Sequence, residues 1–527
     1  MGRTVGWFFL PLLTGVLLLA AFPPWGLFPL AWVAPVPLAI HALKEPKRWR
    51  RWGAQVLGGY ATMVAAFFWT RHNTPIGPWA MALYLGLYFP LFGGLLRLMV
   101  GGARIPPAAA LPAAWVTCDY LRGTLFTGLP YYLLGHSQIP VLPLCQAADL
   151  GGVHLVGFLV LGAAGTVAAW ALKAAQIGGR AAWRARPVVI SAIVTAGLLG
   201  AAVGYGLWRL ATLRLIDGPR IGLVQPNIPQ DVHEISRLYR DPGRIHAKVW
   251  WATDRLLEQA RGAEPVLVVW PESAWLAPVV LSPNWSAETS LHDPIMGLRR
   301  APTYLLFGCE RLEPGPGVEL RRADAYVSAV LLRGDGKVLG HYDKQHLVPF
   351  GEYVPLKDME LARQIYQEWS NMAGAPRFLP GRRSTLLRMD GHRFGVTICY
   401  EAIFPEIARA QTAAGAEFIV NVSNEGWFKD GAELPLMWDI CRFRAIENRR
   451  AFVRATNTGV SGFILPTGRE DVRMADNVEG ALARTVRTAE GETVYGKIGE
   501  AFPAGCAGFV GLAAAVGAVR RWRSSRN

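Results

Sequence analysis

Cysteine is scarce in this chain and lies without pattern. The six thiols in 527 residues, Cys118, Cys145, Cys309, Cys399, Cys441 and Cys506, show no paired spacing. That argues against a disulfide framework, and no Cys/His/carboxylate spacing of the kind that holds a metal occurs either, so neither a metal nor another cofactor is expected. Charge is thin at 18% of residues, and acidic groups are the rarer kind, with 39 Asp and Glu against 54 Lys and Arg for a net charge of +15. A basic balance can signal nucleic acid, but here the basic residues sit in loops between apolar runs, which membrane topology alone explains. No nucleic-acid partner is expected. Between residues 210 and 500 the chain lacks any apolar run approaching the roughly 20 residues that cross a bilayer.

Outside that stretch such runs dominate. Spans can be drawn at about 5–22, 25–43, 55–72, 79–99, 107–125, 152–173 and 187–208, with an eighth at about 501–519. With a cytoplasmic N-terminus, loops after even-numbered spans hold Lys44, Lys47, Arg48, Arg50 and Arg51, then Arg97 and Arg104, then Lys173, Arg180, Arg184 and Arg186. The tail Arg520, Arg521, Arg523 and Arg526 falls on the same side. Four clusters thus follow the positive-inside rule and put residues 210–500 on the outer face. A cleaved signal peptide over 1–22 would reverse that agreement. Three parts are expected: a seven-span membrane domain over 1–209, a catalytic domain over 210–500, and an eighth span with a basic cytoplasmic tail over 501–527. A transporter or inert scaffold is disfavoured, because the spans are poor in ionisable residues apart from Asp119 and Arg122.

The extramembrane stretch alternates strand and helix patterns. Apolar, β-branched runs predict strands at Ile221–Val224, Val266–Trp270, Tyr304–Gly308, Ala325–Leu332, Ser384–Arg388, Phe394–Ile398, Phe418–Val422 and Phe452–Ala455. Amphipathic periodicity predicts helices at about 240–261, 357–371, 402–413 and 435–448. This order implies a layered α/β domain. Glu272 and Cys399 each follow directly on an apolar strand, where α/β folds gather functional groups, and Lys344 lies between them.

A thiol, a carboxylate and an amine are the parts of an acyl-transfer site. A thiol with an ordinary pKa of about 8.5 is mostly protonated at neutral pH and needs a base or a cation. Glu272, set among Trp270, Pro271 and Trp275, is placed for desolvation, which makes a carboxylate a better base. Each residue alone has a plainer reading: Cys399 as core, Glu272 as a helix cap, Lys344 as a solvated amine.

The surrounding text changes those odds. Trp270-Pro-Glu-Ser273, Lys344 with Leu347-Val-Pro-Phe-Gly-Glu-Tyr-Val-Pro355, and Thr397-Ile-Cys-Tyr-Glu401 resemble, in order, the three catalytic signatures of the nitrilase superfamily. The blocks Asn421–Phe428 and Arg444–Gly459 are similar to that superfamily as well. Leu121-Arg-Gly-Thr-Leu-Phe-Thr-Gly-Leu-Pro130 and Gly135-His-Ser-Gln138 resemble the apolipoprotein N-acyltransferase family of the bacterial inner membrane, whose layout is eight spans with the catalytic domain between the seventh and eighth. The resemblance implies a multi-span α-helical membrane domain plus a nitrilase-like αββα sandwich, with Glu272 as general base, Lys344 as oxyanion stabiliser and Cys399 as nucleophile.

It also implies supporting roles for Glu352, Tyr400 and Glu401, while for Asn421 and Trp427 packing and substrate contact weigh equally. The family moves an acyl chain, usually the sn-1 chain of phosphatidylethanolamine, through a thioester to the α-amine of a diacylglyceryl apolipoprotein. A phospholipid donor, an apolipoprotein acceptor, a periplasmic catalytic domain and a monomer are therefore expected. A membrane-tethered amidase using the same trio with water as acceptor is the alternative. Apolar loops carrying Trp275, Trp285, Phe350 and Tyr353 are expected to act as lids beside lipid. Two departures from the family's usual text stand out: His233-Glu234 replaces Lys-Trp, and Asn424-Glu-Gly-Trp427 replaces Asn-Asp-Ala-Trp.

Overall fold

The computed structural model describes residues 8–72, 74–230, 242–281, 295, 297–315, 323–355, 378–429 and 431–524. The chain divides into two compact units, one comprising Met1–Arg71, Ile76–Thr212 and Thr493–Asn527, the other His72–Pro75 and Leu213–Glu492.

The first unit is helical. Among the described residues, four helices are long and apolar enough to cross a membrane: Gly77–Ala103, Ala148–Ile177, Arg186–Thr212 and Ala501–Arg520. The remaining expected spans fall on other helical segments. Leu10–Ala20 and Phe28–Lys44 are apolar but shorter, Arg48–Ala66 opens on three arginines, and Pro107–Thr124 carries Pro112, Asp119 and Arg122. A Cβ on Gly59 would strike the Gly86 carbonyl oxygen, so two of these helices approach backbone to backbone. The Asp119–Arg122 pair, at 3.0 Å, is structural: Arg122 also donates to the Tyr131 carbonyl at 2.6 Å and the Leu129 carbonyl at 3.1 Å, tying down the turn after its helix.

The second unit contains thirteen strands among its described residues: β1 (Ile216–Gln225), β2 (Leu267–Val269), β3 (Val279–Val280), β4 (Tyr304–Glu313), β5 (Asp324–Arg333), β6 (Val338–Asp343), β7 (Leu387–Met389), β8 (His392–Ile398), β9 (Phe418–Ser423), β10 (Ala451–Thr456), β11 (Gly462–Ile464), β12 (Glu470–Arg473) and β13 (Gly480–Thr488). One sheet has the order β13-β1-β2-β4-β5-β6, with β3 on β4, and the other β12-β11-β10-β9-β8-β7. Central strands β1, β2 and β4 are parallel, as are β8, β9 and β10.

Side-chain alternation sorts the strands into layers. Leu223, Leu267, Val269, Leu306 and Leu331 of the first sheet share one core with Val396, Ile398, Val420 and Val453 of the second. Their neighbours Val224, Val268, Trp270, Leu305, Phe307 and Val330 point the other way, onto Ile245, Val249 and Leu256 of helix Pro242–Gln259. Helices Pro405–Ala413 and Glu433–Asn448 pack on the strands of the second sheet. Burial of apolar side chains on both faces is why β1, β2, β4 and β5 read as near-continuous apolar runs. The helix expected at about 357–371 lies outside the described residues.

Candidate active site

Strand ends place the three expected residues together. Glu272 follows β2, and the bond from Trp270 Nε1 to Thr253 Oγ1, 2.9 Å, anchors the strand end that carries it. Lys344 follows β6, which runs parallel to β4 because each is antiparallel to β5. Cys399 follows β8 and opens a short turn, Cys399–Ile403. Its φ of +52° lies in the left-handed region that non-glycine residues rarely adopt, which turns the thiol away from the strand direction.

Lys344 is fully buried and is held between two carboxylates, 3.3 Å from Glu272 Oε1 and 2.5 Å from Glu352 Oε1. Burial alone would pull its amine down, but Glu272 and Glu352 outweigh that and raise it well above the ordinary lysine value. The ammonium is therefore charged at any physiological pH. Glu272 Oε2 accepts the Asn424 backbone N–H at 2.9 Å, and Glu352 Oε2 accepts that of Val348 at 2.8 Å. Burial raises the Glu352 carboxyl against the pull of Lys344.

Burial, and then the charge of Glu272, push the Cys399 thiol up to about 12, while Lys344 and a hydrogen bond with Ser423 act in the opposite direction. The resting sulfur is a thiol, and attack requires its proton to leave as the bond forms. Asn421 Nδ2 reaches Thr397 Oγ1 at 3.1 Å and the Cys399 carbonyl at 3.5 Å, steadying the strained residue.

Glu401 ties two of the strand ends together. It is fully buried and accepts from Tyr342 Oη at 3.0 Å, from the backbone N–H groups of Gln345 at 2.6 Å and His346 at 3.1 Å, and from that of Ile398 at 2.8 Å. These donors flank Lys344 on one side and precede Cys399 on the other, so one carboxylate sets their separation. Burial pushes it up to about 7 even against those donors. Tyr400 is buried against Phe404 with ring centroids 5.0 Å apart, and burial raises its phenol far above the ordinary value. Trp427 is half-buried and lines a cleft with Glu272, Asn424, Asn457, Ile228 and Leu276.

The lid expectation needs correction at Trp275. That ring is 4% exposed and stacks on His246 at 3.9 Å, so it packs inside the unit and presents no surface to lipid. Phe350 is 50% exposed with φ +62°, and its N–H donates to the Tyr353 carbonyl at 2.8 Å. Trp285, like His233 and Glu234, lies outside the described residues.

Several participants were not singled out from sequence: Tyr342, Ser423, Arg454, Asn457 and Gly308. A Cβ on Gly308 in β4 would lie 2.5 Å from Glu272 Cα and 2.9 Å from the Pro271 carbonyl oxygen. Gly308→Ala is expected to displace Glu272 and lower turnover by about 100-fold, since misplacing a reacting group by about 1 Å has that effect. A steady-state assay beside an unfolding curve separates this from simple instability.

The carbon-nitrogen hydrolase profile matches residues 220–489, which assigns the second unit to that class of catalytic domain. The profile of the apolipoprotein N-acyltransferase N-terminal domain matches residues 14–166. Apolipoprotein N-acyltransferase of Geobacter metallireducens is 33% identical over 97% of this chain and 95% of its own length. That of Methylococcus capsulatus is 32% identical over 95% of each, and that of Bradyrhizobium diazoefficiens 31% identical over 81% of this chain and 76% of its own. The chain belongs to the apolipoprotein N-acyltransferase family and is an acyltransferase.

Proposed function

We propose that the protein moves a fatty acyl chain from a phospholipid, through a thioester on Cys399, to the α-amino group of a lipoprotein's N-terminal diacylglyceryl-cysteine. The observation that carries this reading is a fully buried ammonium, Lys344, held between two carboxylates and acting electrostatically on a cysteine at a strained strand end. In the first half-reaction Glu272 takes the thiol proton as sulfur bonds to the sn-1 ester carbonyl. Lys344 stabilises the oxyanion. The glycerol oxygen then leaves with the proton that Glu272 held, giving lysophospholipid and acyl-enzyme. In the second, the lipoprotein amine attacks the thioester, passes a proton to Glu272 and expels the sulfur, which recovers it. One nucleophile serving two acyl exchanges implies ping-pong kinetics.

Glu352 holds the ammonium and Glu401 sets the distance between the Lys344 and Cys399 strand ends. Asn421 steadies the Cys399 backbone, and Trp427 with exposed Phe350 supplies apolar contact for the chain. Eight membrane crossings, with the loop charges inside and the catalytic domain on the periplasmic face of the inner membrane, are part of the same reading.

Incubating the purified protein with phosphatidylethanolamine and digesting it is expected to give a Cys399 peptide heavier by one fatty acyl group. Hydroxylamine should release that mass. Steady formation of free fatty acid without an acceptor peptide would instead favour the water-using amidase reading.

A further inference from the structure

One of the two unusual residues of the fourth block, Glu425, sits behind the site. Glu425 is fully buried, pairs with Arg454, and accepts a hydrogen bond from Ser423 Oγ at 3.2 Å. A side chain on Gly459 would strike Glu425 Oε2, so room for this carboxylate depends on that glycine. Arg454 Nε donates to Asn421 Oδ1 at 3.0 Å, and Asn421 Nδ2 reaches back to Cys399. Ser423 follows directly on the last β8–β9 register pair, Ile398 with Val422, which sets it beside Cys399. From that position the Ser423 hydroxyl is one of the groups that act to lower the Cys399 thiol, against burial and Glu272. Ser423, Glu425, Arg454 and Asn421 thus form a linked chain that starts beside Cys399 and returns to its carbonyl.

A serine hydroxyl has one hydrogen and two acceptor positions. While Cys399 is a thiol, Ser423 gives its hydrogen to Glu425 and can accept the S–H. A thiolate has no hydrogen to give and needs donors. We infer that Ser423 is a positioning residue whose hydroxyl hydrogen turns from Glu425 to the sulfur as Cys399 ionises, and that Glu425, held by Arg454, is the resting acceptor it turns from. The proton balance is simple: the thiol proton goes to Glu272 and Ser423 keeps its own. The same swing recurs when the thioester is cleaved and the sulfur again carries charge. The other charged groups facing the sulfur are Glu272, Lys344 and Glu352, none of them on β9. This rests on the proposed role of Cys399 as nucleophile.

The test is the rate at which iodoacetamide alkylates Cys399 in the full-length protein, read by mass on its peptide as a function of pH. Ser423→Ala removes the donor. Alkylation at pH 8 is expected to fall about tenfold, because a hydrogen bond to a charged group is lost, and kcat should fall by a similar factor with KM for phospholipid unchanged. Glu425→Asp keeps the charge for Arg454 but withdraws the carboxylate from Ser423, which frees the hydroxyl for the sulfur, and alkylation at pH 8 should rise. A purely structural role would not move the two variants in opposite directions. Should Ser423→Ala fail to fold, Glu425→Asp decides alone. If the unaltered protein acquires acyl mass on Cys399 while the variants keep its alkylation profile, only this inference falls. If it acquires none, the nucleophile assignment falls and the inference with it.

Discussion

Replacing Glu272 by glutamine is expected to lower acyl transfer about 1000-fold while making Cys399 easier to alkylate at pH 8. The first half follows from removing the proton acceptor, since positioned general bases typically contribute about 100- to 10,000-fold. The second follows from charge. Glu272 is second only to burial in raising the Cys399 thiol, and Lys344 pulls the other way. Without the carboxylate, the ammonium acts on the sulfur less opposed. A lower thiol pKa at fixed pH means more thiolate, and the thiolate is the species that iodoacetamide traps. Glutamine is nearly isosteric, but Lys344 and the Asn424 N–H meet different oxygens of Glu272, and in glutamine one of those positions is an NH2 that cannot accept. Some loss of stability is therefore expected, and an unfolding curve should accompany both rates. A variant that lost its fold would lose both activities together. If transfer and alkylation fall in parallel, Glu272 is not acting as the base.

The strands most easily read in the sequence were those buried on both faces. β1, β2, β4 and β5 are apolar in consecutive positions because alternate residues fill the inter-sheet core and the helix-facing core, while β8, β9 and β10 send every second residue into the inter-sheet core. β6 escaped notice because Gly340 and His341 interrupt its five-residue apolar frame, and β13 because Arg484 and Arg487 alternate with small residues. β3, β11 and β12 are two to four residues long, too short for any periodicity to register. In the helical unit the expected intervals fell on helices, but a hydropathy window cannot see where Pro112 or a buried ion pair sits within one.

The site divides along a similar line. Glu272 and Cys399 stood out because each follows an apolar strand, but it was the resemblance of the surrounding text to the nitrilase signatures that made them, and Glu401 with them, candidates. The linked side chains behind Cys399 were not legible as a set, because Ser423, Glu425 and Arg454 meet across about thirty residues and leave no local pattern. One signal was available. Arg454 lies inside the strand Ala-Phe-Val-Arg-Ala-Thr, fully buried, and a cation in such a strand requires a buried acceptor somewhere. Trp275 shows the converse error. A tryptophan in an apolar loop reads as exposed only until a partner such as His246 is known.

Lys344→Met is expected to be the most damaging single change, and its pH dependence identifies the cause. Methionine has a similar length and no charge, so the variant leaves Glu272 and Glu352 in one buried site with no cation between them. Burial and Glu272 already raise the Glu352 carboxyl, and Lys344 is the main influence pulling it down. Breaking a buried pair by removing one partner typically costs about 3–5 kcal/mol. A carboxyl whose folded pKa lies above its unfolded value stabilises the fold below the unfolded value, about 4.5, and that contribution is lost as pH rises through the folded pKa. The variant should therefore melt well below the unaltered protein at pH 8 and recover much of the difference at pH 5. Activity should fall at least about 100-fold at both pH values, because the oxyanion donor is gone however the carboxylates titrate. Adding Glu352→Gln removes one of the two charges, so the double variant is expected to regain stability at pH 8 and to remain inactive. If it melts as low as the single variant, repulsion between buried carboxylates is not what Lys344 relieves. If it regains activity as well, the ammonium is not the group that meets the developing charge on oxygen.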